Sequence, residues 1–165
     1  MSEQSFTPDP AHQRDFRDAL GRFATGVTVV TTRTAEGPVG ITANSFAALS
    51  LEPALVMWAP GRFSRRFAAF AEAEHFAIHI LAADQLPMAQ HFAANGYDFA
   101  LPDLVAGLGA VPLLPGCLAR FECARHAVYP GGDHAIVVGE VLRVSTQPGA
   151  GLSFFSGGYG AIDAL

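Results

Sequence analysis

The chain has 165 residues, 50% of them apolar and only 15% charged, with a formal net charge of −5 at pH 7. That length suits one domain, taken here as 1–165, and so much apolar material excludes disorder. The acidic balance excludes a chain built to wrap nucleic acid, whose phosphates need clustered Lys and Arg.

Met1 to Asp15 is polar and holds two prolines, so it lacks the apolar centre of a signal peptide, and residues 1–10 read as a flexible tail. No run of about 20 apolar residues is free of charges and breakers, so no membrane partner is expected and a cytoplasmic protein is. Phe16, Ala19, Leu20 and Phe23 recur at helical spacing and predict an amphipathic helix over Ala11–Phe23, ended by Gly26. Val27–Thr32 is a β-branched run and the strongest strand signal in the chain. The turn Ala35-Glu36-Gly37-Pro38 leads into a second strand, Val39–Leu49, and Leu55–Ala59 is a short buried strand carrying the single Trp, Trp58.

The period then changes. Phe63, Phe67, Phe70 and Ala71 line one face of a helix predicted within Gly61–Glu74, followed by a strand over Phe76–Leu81. Asp84 is placed to cap a helix running to about Ala93, with Pro87 in its first turn. Asn95–Gly116, rich in Gly and Pro, reads as irregular. Two long strands follow, Leu118–Tyr129 and His134–Ser145, joined by Pro130-Gly131-Gly132-Asp133, and then a short strand, Leu152–Ser156. The two hairpins and the long late strands favour antiparallel pairing, and strands do not alternate regularly with helices, so a doubly wound parallel sheet is disfavoured. The expected fold class is mainly β, a small split or closed β-barrel with helices packed outside. A compact monomer of 17.3 kDa exposes roughly 7,800 Å². Ten basic residues, all Arg, and fifteen acidic ones are few to cover it, so a homodimer interface is expected.

The two cysteines, Cys117 and Cys123, fall in one predicted strand roughly 20 Å apart. A disulfide needs Cα atoms within about 7 Å, so no bridge between them is expected. No Cys or His pair has the short spacing of zinc ligands, so no metal site is expected. No nucleophile elbow, Walker loop or metalloprotease helix is present, and no carboxylate pair stands out. That pattern suits a protein whose reactive group is a bound cofactor.

Four segments could hold one. Gly61-Arg62-Phe63-Ser64-Arg65-Arg66-Phe67 puts three arginines and a hydroxyl at a predicted helix start, which suits a phosphate and equally describes a solvated basic turn with a capping Ser. In Thr42-Ala43-Asn44-Ser45-Phe46-Ala47 two adjacent polar residues point to opposite faces of a strand. One must face inward, toward backbone or toward the polar edge of a flat heterocycle. Gly132-Asp133-His134 is a turn carrying a His, and Ser156-Gly157-Gly158-Tyr159 is a glycine turn carrying an aromatic ring. His79, among apolar strand neighbours, is either a satisfied core residue or cofactor-facing.

Taken in order, Gly26–Thr32, Gly40–Pro53 (GITANSFAALSLEP), Phe76–Leu81 (FAIHIL), Gly131–His134 and Phe154–Tyr159 (FFSGGY) resemble the small flavin reductases that serve two-component flavin-dependent monooxygenases, over about Phe16–Ile162. The resemblance implies a flavin-binding split barrel, a homodimer, and reduction of FMN or FAD by NADH or NADPH, with reduced flavin passed to a partner monooxygenase. It implies that Asn44, Ser45, Phe46 and Ala47 lie along the flavin and that Gly61, Arg62, Phe63, Ser64, Arg65, Arg66 and Phe67 form the phosphate-binding turn. Ser156, Gly157, Gly158 and Tyr159 would then border the nicotinamide nucleotide, with His134 as the catalytic residue beside the ring stack. Members commonly carry Arg-Gly-Arg or Arg-Gly-Asp where this chain has Ser156-Gly157-Gly158, and Asn where it has His79. A flavin-binding electron carrier without NAD(P)H turnover, or a reductase of another acceptor such as a corrinoid or ferric chelate, remain the alternatives.

Overall fold

Side chains alternate across a strand, so a strand buried on both faces reads as an unbroken apolar or β-branched run. Thr28–Thr32 is such a run, and all five residues are buried. Its threonines are tolerated because each hydroxyl donates to a main-chain carbonyl: Thr28 to Ala43 at 2.7 Å, Thr31 to Pro112 at 2.7 Å, and Thr32 to His75 at 2.8 Å. The computed structural model describes residues 3–163. Its strands are β1 (Thr25–Gly26), β2 (Thr28–Thr34), β3 (Gly37–Ala43), β4 (Ala47–Leu51), β5 (Ala54–Trp58), β6 (His75–Ile80), β7 (Val105–Ala106), β8 (Pro112–Leu113), β9 (Ala119–Gly131), β10 (His134–Thr146), β11 (Gly151–Phe155) and β12 (Gly158–Ile162). The helices are α1 (Gln13–Leu20), α2 (Phe67–Ala71) and α3 (Leu86–Ala94).

Seven strands form one antiparallel sheet in the order β3-β2-β6-β9-β10-β5-β4, and β1-β11-β12 form a second. β3 and β4 are opposite edges of the large sheet, yet only Asn44, Ser45 and Phe46 separate them in sequence. Four Cα–Cα steps reach at most about 15 Å. Seven strands laid flat would hold their outer edges roughly 29 Å apart. The sheet therefore curls until its edges approach, but β3 and β4 do not pair with each other. The expected mainly β split barrel is thus a curled sheet with an open seam.

The curl encloses one core: Val30, Val39, Val56, Trp58, Phe70, Phe76, Ile78, Cys123 and Val137 pack together. The Phe70 ring, from α2, meets the Trp58 ring edge-on at 5.0 Å. Neighbouring residues on the other face of β2 join a second core, where Val27, Val29 and Leu81 meet Ala89 and Phe92 of α3 and Leu152 of β11. α3 thereby packs outside the sheet.

Several boundaries differ from the sequence reading. The strand expected over Val39–Leu49 breaks at the seam into β3 and β4. The helix expected within Gly61–Glu74 is reduced to α2, because the Ser64 hydroxyl accepts the Arg66 N–H at 3.2 Å and holds the preceding residues in turns; Phe63, assigned to its apolar face, is 92% exposed. Asp84 does not cap α3; Gln85 occupies that corner, its Oε1 accepting the Ala82 N–H at 3.0 Å. Gly158 and Tyr159, read as part of a turn, open strand β12 (Gly158–Ile162) on β11. Asp9 accepts the N–H groups of Ala11 and His12 in a short 3₁₀ turn; Met1 and Ser2 lie outside the described residues. Cys117 and Cys123 are free thiols. No helix among the described residues is long and apolar enough to cross a membrane.

His79 is a satisfied core residue. It is fully buried, Nδ1 donates to the Val29 carbonyl at 3.0 Å, and Nε2 accepts the Leu114 N–H at 3.1 Å. Burial drives its pKa from 6.5 down to about 3. The unfolded chain therefore binds a proton below pH 6.5 that the folded chain refuses until about pH 3. Stability from this group is complete above pH 6.5 and falls by about 1.4 kcal/mol per pH unit below it. Urea unfolding at pH 7, 6 and 5 will show this slope in the parent and one proton less of it in His79→Gln.

Candidate functional site

Remote segments meet where the seam opens. At its centre the Ser45 hydroxyl takes both main-chain groups of Ala59, accepting the N–H at 2.9 Å and donating to the carbonyl at 3.3 Å. Ser45 and Ala59 continue the register in which Ala47 faces Met57, so this bond extends the β4–β5 pairing into the β3–β4 link and leaves the seam itself open. Phe46 turns inward, its ring stacked on Phe121 at 5.6 Å, and Ala47 starts β4 opposite Met57. Of these four residues Asn44 faces a cleft. It makes no side-chain hydrogen bond with another described residue, and it lines a space of about 180 Å³ with Thr42, Ala43, Ala93, Phe154 and Tyr159.

The C-terminal hairpin supplies the aromatic wall. Ser156 and Gly157 have φ of +47° and +81°, the two positive values that a tight two-residue hairpin turn demands. The turn brings Tyr159 beside Phe154, the rings edge-to-face at 5.1 Å. Val27 and Ala93 carried no sequence signal as cleft residues; Ala93 comes to the cleft on α3, which packs against the sheet.

The residue after β5 leads to a second meeting point. Gly61 bridges His134 across the sheet end; the Arg62 N–H donates to the Asp133 carbonyl at 2.8 Å and Arg62 Nε to the His134 carbonyl at 3.0 Å. His134 Nδ1 lies 2.8 Å from the Asp133 carboxylate, and this hydrogen bond lowers the Asp133 pKa. The bond fixes the imidazole and leaves Nε2 on the Gly61 side, where a Cβ would lie 3.5 Å from it. That is ordinary contact, so the chain itself does not demand glycine at 61.

The arginines of the basic segment separate into different roles. Arg66 is engaged by the chain: its guanidinium donates to the carbonyls of Gly40 at 3.1 Å, Phe92 at 2.6 Å and Ala93 at 3.2 Å, and burial lowers its pKa. It thereby satisfies carbonyls at the end of α3 and ties α3 to β3. Arg62 lies 5.6 Å above the Phe67 ring. Arg65 faces a different cleft, with Glu72 and Tyr97. Because α2 starts at Phe67 and has only five residues, Gly61–Arg66 offer turns and side chains rather than a helix end.

Small residues at 43 and 93, an uncommitted amide at 44 and an aromatic wall at 154 and 159 fit the edge of a flat heterocycle. Residues 20–163 match the flavin reductase like domain, and the chain belongs to that family. It is 51% identical over 159 residues to the FMN reductase (NADH) SmoA of Agrobacterium fabrum, covering 96% of this chain and 91% of that one. It is 39% identical over 152 residues to HsaB, the reductase subunit of a flavin-dependent monooxygenase of Rhodococcus jostii, covering 91% of this chain and 78% of that one. The solved structure of the NADH:FAD oxidoreductase SgcE6 of Streptomyces globisporus C-1027, in complex with NAD and FAD fragments, superposes with a TM-score of 0.85 at 38% identity, over 94% of this chain and 95% of that one.

Removing the Arg66 side chain leaves three carbonyls without their donor. Arg66→Ala is expected to lower stability by about 2–4 kcal/mol, with Arg66→Lys recovering part of the loss, as read from urea midpoints.

Proposed function

We propose that this chain is an NAD(P)H:flavin oxidoreductase that reduces FMN or FAD and supplies reduced flavin to a partner monooxygenase. The observation that carries this reading is the cleft at the seam, where Asn44 and the Phe154–Tyr159 pair converge from opposite ends of the sequence. When bound, the two nucleotides supply the chemistry: a hydride leaves the dihydronicotinamide ring for the flavin, and solvent provides the accompanying proton. The protein's part is to hold two flat rings close and parallel, which is catalysis by proximity and needs no nucleophile. Asn44 offers amide donors and an acceptor to a ring's polar edge, and Tyr159 with Phe154 borders the nicotinamide side. Arg62 and Ser64 sit in the turn assigned to the flavin phosphate, and His134, held by Asp133, lies at the same strand end. A cytoplasmic setting fits a reductase drawing on the nicotinamide pool. Anaerobic mixing of the protein with FMN and NADH should bleach the flavin's visible absorbance catalytically; no bleaching with either NADH or NADPH would remove the reading.

The phosphate assignment is tested against riboflavin, which has none. Arg62→Ala should weaken FMN binding about 10-fold and leave riboflavin binding within about 2-fold; equal losses would place Arg62 in the scaffold only.

A homodimer belongs to the same reading. The accessible surface is 9941 Å², roughly 2,100 Å² above the expectation for a compact monomer of this mass. Part of the excess is the uncovered apolar face of α1 and its exit, where Phe16, Leu20 and Phe23 are 45%, 59% and 78% exposed. An obligate interface buries upwards of about 2,000 Å² in total. Sedimentation at micromolar concentration should give twice the chain mass, and Leu20→Glu or Phe23→Glu should shift it toward the monomer.

A further inference from the structure

Phe154 is shared by two clefts. One side faces Asn44 and Tyr159; the other faces a space of about 420 Å³ lined by Arg17, Asp18, Arg22, Ser156 and Gly157. The Ser156 N–H donates to the Gly21 carbonyl at 2.8 Å and docks the hairpin turn on the end of α1. Above Gly157 the space is open: no heavy atom lies within 4 Å of where its Cβ would be. Neither the Arg17 nor the Arg22 guanidinium makes a hydrogen bond or ion pair with another described residue. With Asp18 counted, two bases and one acid give this cleft a formal charge of +1. The other large clefts have the opposite sign. Arg33 faces Glu72 and Glu74 in one of about 500 Å³, and Arg65 faces Glu36 and Glu72 in one of about 390 Å³.

The sizes divide the work. About 180 Å³ at Asn44 admits a ring and little more, against roughly 300–1,000 Å³ for a site that takes a whole small ligand. A dinucleotide whose ring lies there must lay its phosphates on a neighbouring surface, and the surface across Phe154 carries two guanidiniums without partners among the described residues. We infer that Arg17 and Arg22 form the pyrophosphate subsite of the nicotinamide nucleotide, with Phe154 as the divider between ring and phosphates. The inference rests on the reading of the C-terminal hairpin as the border of that nucleotide. Guanidinium forks pair with phosphate oxygens through charge-assisted, often bidentate hydrogen bonds.

The test uses two hydride donors, NADH and 1-benzyl-1,4-dihydronicotinamide, which has the same ring and no phosphate. In Arg17→Ala and Arg22→Ala the KM for NADH should rise about 10-fold each, and further in the double variant. With the phosphate-free donor the rate should stay within about 2-fold, and FMN affinity should not move. An unchanged KM for NADH overturns the inference. So does an equal loss with both donors, which would leave Arg17 only complementing the carbonyl end of α1. If the parent reduces flavin with neither donor, the reductase reading fails separately. Calorimetry with inorganic pyrophosphate then decides the cleft: binding by the parent that the double variant loses supports it, and binding that is absent or equal in both overturns it.

Discussion

A three-residue link between the two outer edges of a seven-stranded sheet is the constraint from which the rest of this molecule follows. Asn44, Ser45 and Phe46 are too short a tether for a flat sheet, so the strands must roll. Rolling creates the interior that buries Trp58, Phe76 and Ile78, and it leaves one place where no ladder closes the wall. The cleft lined by Asn44, Phe154 and Tyr159 opens beside that gap. The Ser45 hydroxyl extends the β4–β5 pairing into the link, and the Arg66 guanidinium ties α3 to the edge strand.

This arrangement suits chemistry done by ligands rather than by side chains. The groups at the opening are an amide, small residues and two aromatic rings, none of which is a strong nucleophile or base. Their service is position. The main chain beneath them is fixed by hydrogen bonds across long sequence separations, so a bound ring meets walls that are already in place and little ordering remains to be done on binding.

Much of this was legible in the sequence, for reasons that can be named. The Thr28–Thr32 run predicts a strand buried on both sides because β-branched residues without alternation fit little else. The long hairpin around Gly132 is announced by its turn residues. The order of five short segments identified the family. What stayed hidden depends on partners far along the chain. The Ser45 hydroxyl finds its partner 14 residues on, at Ala59, and the Arg66 guanidinium is committed to acceptors 26 and 27 residues away. β12 has only glycines, Tyr159, Ala161 and Ile162 to offer as pattern, and it exists because the turn before it returns the chain onto β11. The periodicity of α1 was plain, but a pattern of apolar residues does not say whether the chain itself or a second copy covers them.

The two cysteines carry a consequence for the working life of such a protein. Reduced flavin that escapes into air makes hydrogen peroxide, and peroxide oxidises thiolates far faster than thiols. Burial pushes the Cys117 and Cys123 thiols up to about 11 and about 12. At neutral pH about one Cys117 in ten thousand is ionised, and fewer at Cys123. The packing around the two thiols therefore keeps them in their less reactive, protonated form beside a source of oxidant.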